Sequence, residues 1–504
     1  MRRVTYTTCL LAFAVGCQPS PKSTTAAVRT PSQASGKIPI TTKSEEARAI
    51  FVRGRTLNEN LQPHEAFVLF QQAVAIDTTF AFGEYSLAAT SPTAKERDAH
   101  LKTALALSEN ASSGERLSIR LLEARAHGDP ERARQLAESL VVQYPNDERA
   151  HGALASAYSA QQMYERAVVE FRAAITLNPN YSLAYNQLGY AYRSAGQMAA
   201  AETAFTRYIA LVPNDPNPYD SYAELLMKAG RFDESITQYR KAFAIDAHFS
   251  GSFVGIAANE MFAGRSAAAM AECERYFSLA RDDGERRTAL LTLAMIHVEH
   301  GATDASLRAM EQRYALARAI GDTVNMSADD VLIADILLHA GRTDAAREQF
   351  TRAHTLLAMS TVAANVKTDD ALGAHYDLAR VALAKGDLRS ARTEAVIYAN
   401  GANARHNDVR MRQARELNGL VALASKRFDE SLIEFAQADQ QNPAVLFATA
   451  RAHAGRNESA EAQSLTDRAN HMNILPTFPY VFTRATIAAS TQSATSESVG
   501  GKRH

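Results

Sequence analysis

Apolar positions recur at helical spacing along most of the chain, and the helices they predict come in pairs that repeat every 34 residues. Pro145, Pro179 and Pro213 lie 34 apart in the similar phrases QYPND, LNPNY and VPNDP. Gly128, Gly196, Gly230 and Gly264 fall on the same grid, and Gln162 takes its one vacant point. Five places after each grid point stands a small residue (Ala133, Ala167, Ala201, Ser235), and four places further an aliphatic or aromatic one (Ala137, Phe171, Phe205, Tyr239). Each unit therefore reads as two amphipathic helices with a tight turn between them and a proline break after the second. Small residues of the first helix, Ala155 and Gly189, mark where its partner must come close. A single hairpin of this kind cannot bury its apolar face alone, so neighbours must stack.

The pattern predicts an all-α chain, an α-solenoid of about twelve antiparallel helix-turn-helix hairpins. Residues 44–283 form its regular part. In 284–487 the units are irregular, since Gly301, Gly341 and Gly386 are separated by 40 and 45 residues. Residues 488–504 are Ser/Thr-rich and read as a disordered tail. Recurrence of several small, large and proline positions together at 34 resembles the tetratricopeptide repeat (TPR). The usual first-helix tryptophan is absent, with His151, Tyr185, Tyr219 and Phe253 in its place. Residues 95–250 also look like the repeat regions attached to bacterial signalling kinases and winged-helix regulators, although no kinase or DNA-binding domain accompanies them here.

Composition agrees with helix and narrows the partners. Trp is absent, and Gly (24) and Pro (15) are too few for a turn-dense β architecture. Lys+Arg (54) and Asp+Glu (55) cancel to a net charge of -1, so no global field draws nucleic acid.

The N-terminus has a different character. Arg2 and Arg3 precede an uncharged stretch, Val4 to Gly16, that ends Ala-Val-Gly before Cys17. Residues 1–16 read as a secretory signal. The small residues before Cys17 resemble a bacterial lipobox, which implies that Cys17 is lipidated and that the protein is an envelope lipoprotein. Gln18 after it favours the outer membrane, facing the periplasm. Residues 17–43, with their Ser, Thr and Pro, then read as the lipidated cysteine and a flexible linker. The membrane would be reached through the lipid only. Cys273, at a large-residue position of a second helix, reads as a packed core thiol.

Candidate chemistry is sparse. His297-Val298-Glu299-His300 has the wrong spacing for a zinc peptidase. Phosphate-loop, dinucleotide, nucleophile-elbow and C-x-x-C motifs are missing, so the expectation is a protein that is not an enzyme and holds no metal or cofactor. The resemblance implies instead a concave groove, lined by first helices, that receives a segment of another protein. In its register the groove positions are Asn186, Tyr190 and Arg193, then Asp220, Glu224, Met227 and Lys228, then Met261 and Phe262. Gly152, Ser156, Asn186 and Tyr190 do not reproduce the lysine and asparagine clamp with which some TPR proteins grip a C-terminal carboxylate. The expected function is a non-enzymatic scaffold binding a protein or peptide. The alternatives are a glycan-capturing surface lipoprotein, against which the lack of Trp counts, and an envelope assembly or secretion factor.

Overall fold

The computed structural model describes residues 36–500 apart from Pro92 and His406. Cys17 and the expected signal lie outside the described residues. Twelve helical hairpins follow one another, and a last helix stands alone. The first four are α1 (Glu45–Glu59) with α2 (Pro63–Ile76), α3 (Ala81–Thr90) with α4 (Ala94–Leu107), α5 (Ser113–Ala126) with α6 (Pro130–Gln143), and α7 (Glu148–Ala160) with α8 (Tyr164–Leu177). The next four are α9 (Ser182–Ser194) with α10 (Met198–Leu211), α11 (Pro216–Lys228) with α12 (Phe232–Ile245), α13 (Ser250–Phe262) with α14 (Ser266–Leu279), and α15 (Asp283–Glu299) with α16 (Thr303–Ala319). The last four are α17 (Thr323–His339) with α18 (Thr343–Met359), α19 (Ala364–Ala384) with α20 (Leu388–Ala404), α21 (Asp408–Ala424) with α22 (Phe428–Phe435), and α23 (Pro443–Gly455) with α24 (Ser459–Asn470); α25 (Phe478–Gly500) is the last helix among the described residues.

Local chemistry starts and stops these helices. Asp129, Asp147, Asp215 and Asn442 cap helix N-termini through their side chains. Ser112 and Glu115 form a reciprocal capping box at α5. The turns inside the hairpins need one residue of left-handed backbone, which glycine adopts without strain, as at Gly196 and Gly230. At the vacant grid point Gln162 takes the same conformation, with φ 60°.

The repeat positions form the core as one recurring contact. Ala167, Ala201, Ser235 and Ala269 are completely buried, and so are Ala155, Ala223 and Ala257 on the facing helices. Between them sits the ring of the second helix. A Cβ on Gly189 would lie 2.6 Å from the Phe205 ring, and one on Gly255 only 2.1 Å from the Tyr239 ring. Where the small residue is serine, its hydroxyl donates to the carbonyl of the facing small residue: Ser235 to Ala223 at 2.7 Å, Ser306 to Ala294 at 2.9 Å, and Ser431 to Gly419 at 2.9 Å. From α15 to α21, with the looser spacing, the helices lengthen to 17–21 residues. Their junctions carry buried charge. Asp329 of α17 is wholly buried and receives Arg287 at 2.7 Å, with Arg313 also paired to it, which ties three successive helices together.

Two segments depart from the sequence expectation. Residues 37–43, expected to be part of a flexible linker, are an extended strap across the N-terminal ends of α7 and α5 and the turn between α2 and α3. Ile38 N–H donates to Asp147 at 2.8 Å, Thr41 N–H to Glu115 at 2.7 Å, and Lys43 N–H to Asp77 at 2.8 Å, while Lys37 pairs with Glu148. Ile38 and Ile40 pack on the hairpin cores beneath. Four carboxylates at helix ends and two isoleucines outweigh the entropy of a polar, proline-containing stretch. The expected tail at 488–504 differs as well, because α25 continues to Gly500.

The small-to-large contact sets one expectation. Ala201→Leu overpacks the space between Phe205 and Leu225 and should lower stability by roughly 1–3 kcal/mol, read by thermal or urea unfolding.

Candidate functional site

First helices face the inside of the superhelix, and much of that inside is already filled by the chain itself. At the N-terminal end, the turn after α1 reaches across to later hairpins. Glu59 accepts from Arg149 of α7 at 2.6 Å, and the Ser182 hydroxyl at the start of α9 donates to the Glu59 carbonyl at 2.7 Å. Hairpins one to five thus close on themselves around a recess of about 420 Å³.

In the middle, α25 lies along the first helices. Phe478 and Val481 join the core built by α13 to α19. Tyr480 is fully buried, with its ring 5.6 Å from that of Phe262. Arg484 lies over Phe262 at 4.9 Å and bonds Glu299 at 2.7 Å, and Phe482 stacks on His339 at 4.4 Å. Glu299, the carboxylate of the mis-spaced histidine phrase, is therefore a docking point for α25. His300 beside it pairs with Ser266.

The predicted groove residues are brought together, but largely against each other. Asn186, Asp220, Met227 and Met261 are 5%, 9%, 1% and 3% exposed, which takes them out of a partner's reach. Asp220 accepts from Ser252 at 3.0 Å. Tyr190 donates to Ser221 at 3.2 Å and packs edge-on against Phe205. Arg193 covers the Tyr190 ring at 4.7 Å and bonds Glu224 at 3.0 Å. Lys228 is half-buried, its pKa lowered by burial and by Arg193 nearby. Phe262 is covered by α25. The tight winding and α25 convert the face these residues share from groove lining to packing.

What stays open is a cleft of about 610 Å³ between the first helices of hairpins nine to twelve and one side of α25. Arg380 sits at its base, half-buried, bonded to Asp335 at 2.8 Å and Asp377 at 3.3 Å and stacked on Tyr376. Burial pushes the Glu416 carboxyl up to about 7, against the pull of Arg380. Toward solvent stand Arg412 and Arg451, neither with a carboxylate partner among the described residues, together with Val409, Phe447 and Phe482. Sequence reasoning missed this site because its register was projected from the regular repeats alone; the phrase MRQARELNGL (411–420), a first helix with Arg and Glu on one face, carried the available signal.

Other chemistry is muted. Cys273 is 1% exposed, and burial pushes its thiol up to about 12, which leaves it protonated and unreactive. Among the described residues no group of three or more His, Cys, Asp or Glu is placed to hold a metal ion, and no helix is long and apolar enough to cross a membrane.

With that geometry in view, known proteins sharpen the class. The tetratricopeptide repeat family model matches residues 120–182 and 153–216, so this stretch of the solenoid is built of tetratricopeptide repeats. Among solved structures it is similar to a thermophilic TPR protein of Thermus thermophilus, at 21% identity over 42% of this chain and 98% of that one, with a TM-score of 0.28. It is likewise similar to a TPR protein of Parabacteroides merdae (14% identity, 57% and 99% covered, TM-score 0.34) and to PilW, a type IV pilus biogenesis factor (19%, 41% and 94%, TM-score 0.34). Such scores reflect local repeat likeness and carry nothing about ligands. No curated protein matches.

Asp220 offers a test of the packed face. Burial, with Glu224 close by, raises its carboxyl to about 7, so the folded chain holds a proton there that the unfolded chain loses near pH 4. Stability therefore falls as pH rises from about 4 to about 7 and this contribution is flat above. Asp220→Asn should leave stability near pH 4 unchanged and raise it at pH 8 by up to about 4 kcal/mol, measured by urea unfolding at the two pH values.

Proposed function

We propose that the protein is a non-enzymatic scaffold, tethered to a bacterial envelope through a lipid on Cys17, that receives a segment of a partner protein. The observation that carries the binding role is the open cleft on hairpins nine to twelve. It combines aromatic and aliphatic contact surface with two uncompensated arginines and two carboxylates, Glu416 and Asp439. This mixture suits a polypeptide of both charge signs better than a small uniform ion. The tetratricopeptide architecture supports the binding role, because stacked hairpins present extended surface to other chains. The N-terminal sequence supports the anchor and an outer-membrane, periplasm-facing location.

A photoreactive amino acid replacing Arg451, at the cleft, should crosslink one discrete protein in cells; the same group at Val142, 81% exposed on α6, should not. Recovery of glycan without protein from position 451 would move the assignment to a glycan-capturing lipoprotein. Equal labelling at both positions would remove the cleft from consideration. Independently, Cys17→Ser should abolish incorporation of labelled fatty acid, and continued labelling would refute the anchor.

A further inference from the structure

The recess inside the first five hairpins has a charge problem that the chain does not solve by itself. Arg149 on its wall is paired with Glu59 at 2.6 Å and with Glu148. Arg55 shares the same Glu59 at a looser 3.9 Å. Arg125, at the end of α5, has no carboxylate partner among the described residues; its one hydrogen bond to the protein goes to the Ala153 carbonyl at 3.1 Å. Burial lowers the pKa of both Arg55 and Arg125, and Arg149 nearby adds to the effect at Arg55. Arg125 is nonetheless an exposed residue that lines the recess. A guanidinium crowded by protein yet open on one side faces a concavity, and it gains from any anion that enters.

The rest of the wall says what kind of anion. The charged groups lining the recess are Arg55, Arg125 and Arg149 against Glu59 and Asp147, an excess of one positive charge. Much of the remainder is aromatic, with Tyr85 stacked on Phe82 at 4.9 Å and Tyr181 buried behind. The entrance is restricted by Ile38 of the strap, held at Asp147, and by the turn held at Ser182. The volume lies within the roughly 300–1,000 Å³ of small-molecule sites, which suits a small ligand.

We propose that this recess is a ligand site, separate from the cleft, for a small organic monocarboxylate whose carboxylate pairs with Arg125 and whose aromatic or aliphatic body lies against the half-buried Tyr85 and Leu183. The test is calorimetric titration of the full chain with benzoate, 4-phenylbutyrate and octanoate, each beside its uncharged amide. At least one carboxylate should bind at a single site, with its amide at least about tenfold weaker, since a hydrogen bond to a charged partner is at stake. Arg125→Gln should abolish the preference for acid over amide, and Arg125→Lys should keep part of it; unchanged helical circular dichroism would show that both variants fold. The proposal is overturned if none of the three acids binds, if acid and amide bind alike, or if Arg125→Gln binds the acid as tightly as the native chain. Tighter binding of octyl phosphate than of octanoate would overturn the choice of a monoanion.

Discussion

The contact on which the rest depends is the seating of one aromatic ring against one missing or minimal side chain. Phe205 on Gly189 and Phe435 on Gly419 leave no room for even a methyl group, so the two helices of a hairpin have a single separation and a single rotation relative to each other; Tyr239 on Gly255 sets the next hairpin against the last in the same way. Because the contact recurs every 34 residues, the same small rotation is added at each hairpin, and the superhelix is the sum. Serine at the small position adds direction to the contact by bonding the opposite carbonyl, without adding bulk.

Summed rotation has consequences that no single hairpin shows. After four or five units the array meets its own first turn, which is why Glu59 finds Arg149 and Ser182 far along the sequence. The inner face becomes too narrow to serve as a groove through its first half. In the second half the helices are longer, and buried ion pairs such as Arg287 with Asp329 join successive first helices. The inner face there is shared between α25 and the open cleft.

The same geometry explains how much of the molecule was legible in the sequence. Grid positions such as Ala201, Phe205 and Tyr239 are local, periodic signals, and they specify the hairpins, their number and which face each residue shares. Burial of Asn186 or Met261 is different in kind: it depends on accumulated curvature and on where α25 docks, and neither is periodic. The strap was hidden for a related reason. Residues 37–43 have a linker's composition, and their partners Asp77, Glu115 and Asp147 read as ordinary caps in their own helices. Only the topology shows that the caps are also a row of acceptors.

That row has a mechanical meaning. The strap runs backwards, entering beside the fourth hairpin and reaching the first only at Ser44. A pull on the N-terminus is therefore applied at the flank of the array, not at its end. Its bonds to Asp147, Glu115 and Asp77 would be loaded one after another, as in peeling a strip of tape, so each is met at low force and can reform before the next gives way. Tension applied to the strap would release it in short steps before it strained any hairpin.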